Sequence, residues 1–120
     1  MPKKNLPTYK KLAAQAGKIW MKHGALQYVE CIGDDLKSAV KWGGLPFPKV
    51  ANAKPNEMVI FAFVVYKSRA HRDRVNARVM KDPIMKDPMN KNKPMPFDMK
   101  RMAYGGFTSI VNYVDGLVRY

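Results

Sequence analysis

Tyr28 and Glu30 stand two residues apart in a run of β-forming residues, so a strand projects both from one face, a phenol beside a carboxylate. A carboxylate in that setting is suited to general-base work. His71, Arg72 and Asp73 follow Ser68 at what reads as the first turn of a helix, and Asp98 precedes Arg101 by three residues at the entry to a later apolar run. Glu30, His71 and Asp98 are therefore the candidate catalytic groups. Tyr28, Arg72 and Arg101 are the candidate binding groups, the arginines because a guanidinium clamps an anion. Two readings stand. In one, Glu30, His71, Asp98 and Arg101 converge at the mouth of a cleft between sheet and helices. In the other, they are structural ion pairs, Asp98 with Arg101 and Asp73 with a nearby arginine.

Other chemistries find little support. His23 and His71 lie 48 residues apart and form no local metal pair. There is no glycine-rich phosphate loop, no dinucleotide fingerprint and no nucleophile elbow, so neither a cofactor nor a metal is expected. Cys31 is the single cysteine, which excludes an internal disulfide and a cysteine zinc finger and points to a reducing cytoplasm. On a strand it reads as a small buried hydrophobe. His23 reads as a helix-end residue favoured by the helix dipole.

The elements that position these groups follow from periodicity. Residues 7–23 carry Tyr9, Leu12, Ala13, Ala16, Ile19 and Trp20 at spacings of three and four, a first helix with Asn5 as its cap and Gly24 at its end. Residues 25–32 and 58–66 read as strands. Residues 33–55, with four Lys, three Pro and Gly43-Gly44, read as a long loop whose Trp42, Leu45 and Phe47 either tuck in or meet a partner. Ser68 caps a second helix to about residue 80, with Val75 and Val79 inward and Arg69, Arg72, Arg74 and Arg78 mostly outward. Asp82-Pro83 ends it. Five of the nine methionines fall between Met80 and Met99 and read as gap-filling cover at one end of the fold. Residues 102–111 and 113–120 read as a third and a fourth strand, with Gly105-Gly106 marking a bulge. The order is αββαββ.

At 120 residues the chain fits one domain, 1–120. Its 22 Lys and Arg against 9 Asp and Glu leave a charge of +13. That surplus suits a polyanion such as RNA met through the basic helices, or is only a solvated basic surface. The apolar runs fall short of the roughly 20 residues that cross a bilayer, so no membrane partner is expected.

The blocks Gly24-Ala-Leu-Gln-Tyr-Val-Glu-Cys31, Tyr66-Lys-Ser-Arg-Ala-His-Arg-Asp73, Met95-Pro-Phe-Asp98 and Lys100-Arg-Met-Ala-Tyr-Gly-Gly-Phe107 resemble the YbaA-like bacterial proteins of unknown function. The resemblance runs from about residue 9 to residue 111. It implies an α+β subunit, a ferredoxin-like antiparallel sheet with two helices on one face, that pairs as a dimeric α+β barrel. Members of the family begin with a strand similar to Tyr113-Val-Asp-Gly-Leu-Val118, which here stands near the other end, so the chain resembles a circularly permuted member. Met99 stands where the family tends to have Gly. The resemblance further implies a homodimer, and the weak turn signal around Asn112 favours residues 113–120 passing into the partner as a swapped strand. The functional expectation is a small-molecule pocket in the barrel, with binding of a polyanion such as RNA as the alternative.

Overall fold

The first helix, α1, spans Leu6–Lys22 after a single 3-10 turn at Lys3–Asn5, with Pro7 in its first turn, where a missing N–H costs nothing. Asn5 does not cap it: its side-chain amide donates instead to the Pro96 carbonyl at 2.7 Å. The Asn5 backbone is already helical, so its side chain is not aimed at the orphan N–H groups of the first turn. Gly24 leaves the helix at φ +110°, a conformation costly for any residue with a Cβ.

The computed structural model describes residues 1–87, 94–114 and 117–118. After α1 come strand β1 (Gln27–Ile32), the short helix α2 (Phe47–Val50), strand β2 (Ile60–Val65), helix α3 (Arg69–Met80) and the one-turn helix α4 (Pro83–Lys86). Two-residue strands β3 (Tyr113–Val114) and β4 (Leu117–Val118) follow. The architecture is α+β.

β1 and β2 pair antiparallel from Gln27↔Val65 to Ile32↔Ile60. Ahead of β2 the chain entering α1 bridges it: Met58 N–H donates to the Met1 carbonyl, Lys3 N–H to Asn56, and Pro2 faces Glu57 antiparallel. α1 lies on the Tyr28 and Glu30 side of the sheet. The core is small: among the described residues Ile19, Ala25, Val75 and Val79 are its buried apolar side chains, with Trp20, Val64, Tyr66 and Met85 packed against it. Trp20 Nε1–H and Tyr66 O–H both donate to Asn76 Oδ1, at 3.2 and 3.0 Å, so the polar tips of two large rings are satisfied beside that core.

Ser68 caps α3 as its position in the sequence implies, its hydroxyl accepting from His71 N–H at 3.1 Å. Asp82, extended before Pro83, ends the helical run and caps α4 through Ile84 N–H at 2.9 Å. Met89, one of the five methionines between Met80 and Met99, lies outside the described residues. Met80, Met95 and Met99 are exposed, whereas Met85 packs on the core.

Three expectations need correction. The stretch 33–55 contains α2 and a 3-10 turn at Ser38–Trp42, and Trp42, Leu45 and Phe47 do not tuck in: all three are exposed. Residues 102–111 are not a strand, since among the described residues 103–112 make no backbone hydrogen bond. Residues 113–120 are not one strand either, because β3 and β4 pair with each other, Tyr113↔Val118 and Val114↔Leu117. Asp115, Gly116, Arg119 and Tyr120 lie outside the described residues. For residues 102–111 the physical reason is the want of a pairing edge. β-forming side chains suit a half-buried pleated surface, but a strand also needs a partner edge, and propensity does not supply one.

Candidate functional site

Glu30 points from β1 toward α1. The Tyr9 hydroxyl, in the first turns of α1, donates to Glu30 Oε1 at 2.5 Å, and the Tyr28 hydroxyl donates to Oε2 at 3.3 Å. The pair depends on a close approach of helix and strand. The Tyr28 ring lies directly over Gly17, where an added Cβ would sit 2.9 Å from Tyr28 Cδ1. Trp20 flanks the Tyr28 ring at 6.1 Å, and Phe97 meets Tyr9 edge-on at 5.8 Å.

Both phenols are pushed well above the ordinary tyrosine range, first by burial and then by the Glu30 carboxylate, which favours the protonated form through its hydrogen bonds and its charge. At neutral pH they are therefore donors, never bases. A carboxylate has about four lone-pair sites, so the two phenols leave acceptor capacity for a third group. That capacity borders a cleft of about 190 Å³ lined by Leu6, Tyr9, Lys10, Ala13, Glu30, Cys31 and Ile32. An apolar wall, one carboxylate and one ammonium suit a small ligand that carries a hydrogen-bond donor.

The other sequence candidates lie elsewhere. His71 is at the start of α3, its Nδ1 accepting from Lys67 N–H at 2.9 Å and its ring edge-on to Tyr66. Arg72 pairs with the adjacent Asp73 at 3.0 Å, and its guanidinium lies against Gly106. Asp98 accepts from Lys100 N–H at 3.0 Å and borders a second, more open cleft of about 230 Å³ with Pro2, Asn5 and Glu57. Arg101 does not bond the Asp98 side chain. It donates to Glu57 at 2.7 Å and to the Ala51 and Asn52 carbonyls, and this contact holds the Glu57 carboxyl down at about 2. Thus Glu30 and Tyr28 come together, while His71, Asp98 and Arg101 each close on separate neighbours.

Cys31 is exposed rather than buried. By alternation along β1 its side chain stands on the face opposite Tyr28 and Glu30. Two groups escaped the sequence reading. Tyr9 was legible only as part of the apolar stripe, although a polar-tipped ring on a buried face is a cue to look for a partner. The other is Asp82, buried with 2% of its surface exposed, which holds His23 Nε2 at 2.7 Å and Lys22 at 3.5 Å. These contacts keep its carboxyl below the usual range, the His23 hydrogen bond contributing most. No local signal announces a pair 59 residues apart. Among the described residues no cluster of His, Cys, Asp and Glu could hold a metal ion, and no helix is long and apolar enough to cross a membrane.

The fold and site define an α+β protein with a tyrosine-held carboxylate between its first helix and its sheet. Residues 1–99 match the family described as "Protein of unknown function (DUF1428)", and the chain belongs to that family. It is 37% identical over 112 residues to the "Uncharacterized protein YbaA" of Escherichia coli (strain K12), covering 93% of this chain and 91% of the relative. It is equally similar to the YbaA of Shigella flexneri. The YbaA-like resemblance seen in the sequence blocks is thereby established.

Proposed function

We propose that this protein binds a small molecule in the cleft between α1 and β1, as a single-domain ferredoxin-like subunit of a dimeric α+β barrel in the cytoplasm. The observation that carries the reading is Glu30 held between the Tyr9 and Tyr28 hydroxyls at the edge of a largely apolar cleft. Two phenols orient the carboxylate and leave it able to accept one more hydrogen bond, and Lys10 offers a charge for an anionic group. Binding, rather than turnover, is what this geometry supports.

The Tyr113-Val-Asp-Gly-Leu-Val118 block supports the element order of a circularly permuted member of the family. The antiparallel bridge at Pro2 and Glu57, which brings the chain entering α1 alongside β2, supports the same order.

Native mass spectrometry of nuclease-treated protein, purified in moderate salt, tests the ligand. A discrete small adduct on wild type that is lost in Glu30→Gln is the expected result. Wild type and variant that are equally free of adduct would refute the reading. An RNA-binding function is favoured by a different observation, the exposed Lys10, Lys11 and Lys18 on α1 and Arg69 and Arg74 on α3. It requires binding that weakens steeply with salt.

A further inference from the structure

Glu30 is a half-buried carboxylate that, among the described residues, meets no cation. Other acids of the chain do. Glu57 meets Arg101 at 2.7 Å, Asp73 meets Arg72 at 3.0 Å, and Asp82 meets His23 at 2.7 Å and Lys22 at 3.5 Å. Glu30 has only the Tyr9 and Tyr28 hydroxyls, and phenols supply hydrogen bonds but no positive charge. A carboxylate drawn out of water is normally paired. The chain has 22 Lys and Arg against 9 Asp and Glu, so an unmatched acid does not come from a shortage of cations.

Lys10 is the complementary case. It borders the same cleft from α1, one residue beyond Tyr9, and among the described residues it forms no ion pair, with Glu30 or with any other acid. The rest of the wall is mainly apolar, with Leu6, Ala13 and Ile32. Phe97 edge-on to Tyr9 and Trp20 beside Tyr28 help to keep the two phenols half-buried. The charge on Glu30 is therefore screened less than it would be in open water. Two opposite charges border one small cleft, each without a counter-ion among the described residues.

We propose that this cleft binds a small amino acid as its zwitterion, the ammonium on Glu30 and the carboxylate on Lys10, with the carbon chain against Leu6, Ala13 and Ile32. The inference rests on the small-molecule reading above and names the class of the ligand. An ammonium has three donors, and Glu30 Oε2, which Tyr28 holds only at 3.3 Å, is the freer acceptor. Hydrogen bonds between ionised partners are about twice as strong as neutral ones. The cleft, about 190 Å³, is smaller than the roughly 300 Å³ at which pockets for drug-sized ligands begin, which suits a single amino acid rather than a nucleotide. A purely anionic ligand would set like charge against Glu30, and a purely cationic one would leave Lys10 unmatched.

Calorimetric titration of the whole chain compares norvaline and δ-aminovalerate, both zwitterions, with valerate and butylamine, which keep one charge each. The expected result is a zwitterion that binds wild type at least about tenfold more tightly than either singly charged probe. The tighter of the two zwitterions reads the spacing between the protein charges. Glu30→Gln should lose the preference over valerate, and Lys10→Met the preference over butylamine. Lys10 is exposed, so its variant keeps the fold, and the wild-type series decides the class even if Glu30→Gln does not fold. Valerate or butylamine binding as tightly as the zwitterions overturns the amino-acid class and leaves the small-molecule cleft standing. Binding of none of the four also overturns the class, and the native mass spectrum then separates the two readings. An adduct on wild type that Glu30→Gln loses preserves the cleft, and its absence removes both.

Discussion

Raising the pH from 9 to 11 should destabilise this protein through Tyr9 and Tyr28 specifically. In the unfolded chain both phenols lose their protons near pH 10. In the native state burial and the Glu30 carboxylate keep them protonated well beyond that. Above about pH 10 the native state therefore binds more protons than the unfolded state, and stability falls as pH rises. Below pH 10 the contribution is complete. One pH unit above the unfolded value costs at most about 1.4 kcal/mol per tyrosine. Both side chains are only half-buried, so solvent screening roughly halves the combined figure, to about 1.4 kcal/mol at pH 11. For a chain of this length that is a fall of about 5 °C in Tm. The assay is thermal unfolding at pH 9 and pH 11, with absorbance near 295 nm following tyrosinate formation. Tyr9→Phe/Tyr28→Phe should lack this part of the loss. Glu30→Gln should fall between the two, because burial remains when the charge is gone. All other groups are common to the three proteins and cancel in the comparison. Equal losses in wild type and double variant would refute the argument that the two phenols share a buried carboxylate.

Ser68→Ala removes the cap of α3 and should cost about 1 kcal/mol, a fall of about 4 °C in Tm by calorimetry; an unchanged Tm would show that His71 N–H finds another acceptor. Val75→Ala empties the centre of a very small core, where the side chain is 0% exposed, and should cost about 2 kcal/mol by urea denaturation. A loss under about 0.5 kcal/mol would mean that the core closes around the gap. Asp82→Asn breaks the contacts to His23 and Lys22. Because the native carboxyl titrates below the ordinary aspartate value near 4, its stabilisation is present above that pH and fades as the pH falls through the lowered native value. Melting temperatures of wild type and variant should therefore differ at pH 6 and converge toward pH 2, and a difference independent of pH would refute the ion pair.

The sequence determined the elements whose causes are local. Apolar spacing and an early proline make α1, a serine cap and inward valines make α3, Asp82-Pro83 makes the turn between α3 and α4, and unbroken β-forming runs make β1 and β2. It also placed Tyr28 and Glu30 on one face, because alternation along a strand is a backbone property. Only the tertiary structure decided which partners those groups meet. Tyr9 reaches Glu30 across 21 residues, Arg101 reaches Glu57 across 44 and His23 reaches Asp82 across 59. The physical reason is that a hydrogen bond between distant residues depends on how helix and sheet dock, and Gly17 under the Tyr28 ring sets that distance without any periodic signature. The same holds for residues 102–111, whose composition reads as strand whether or not an edge is present to pair with.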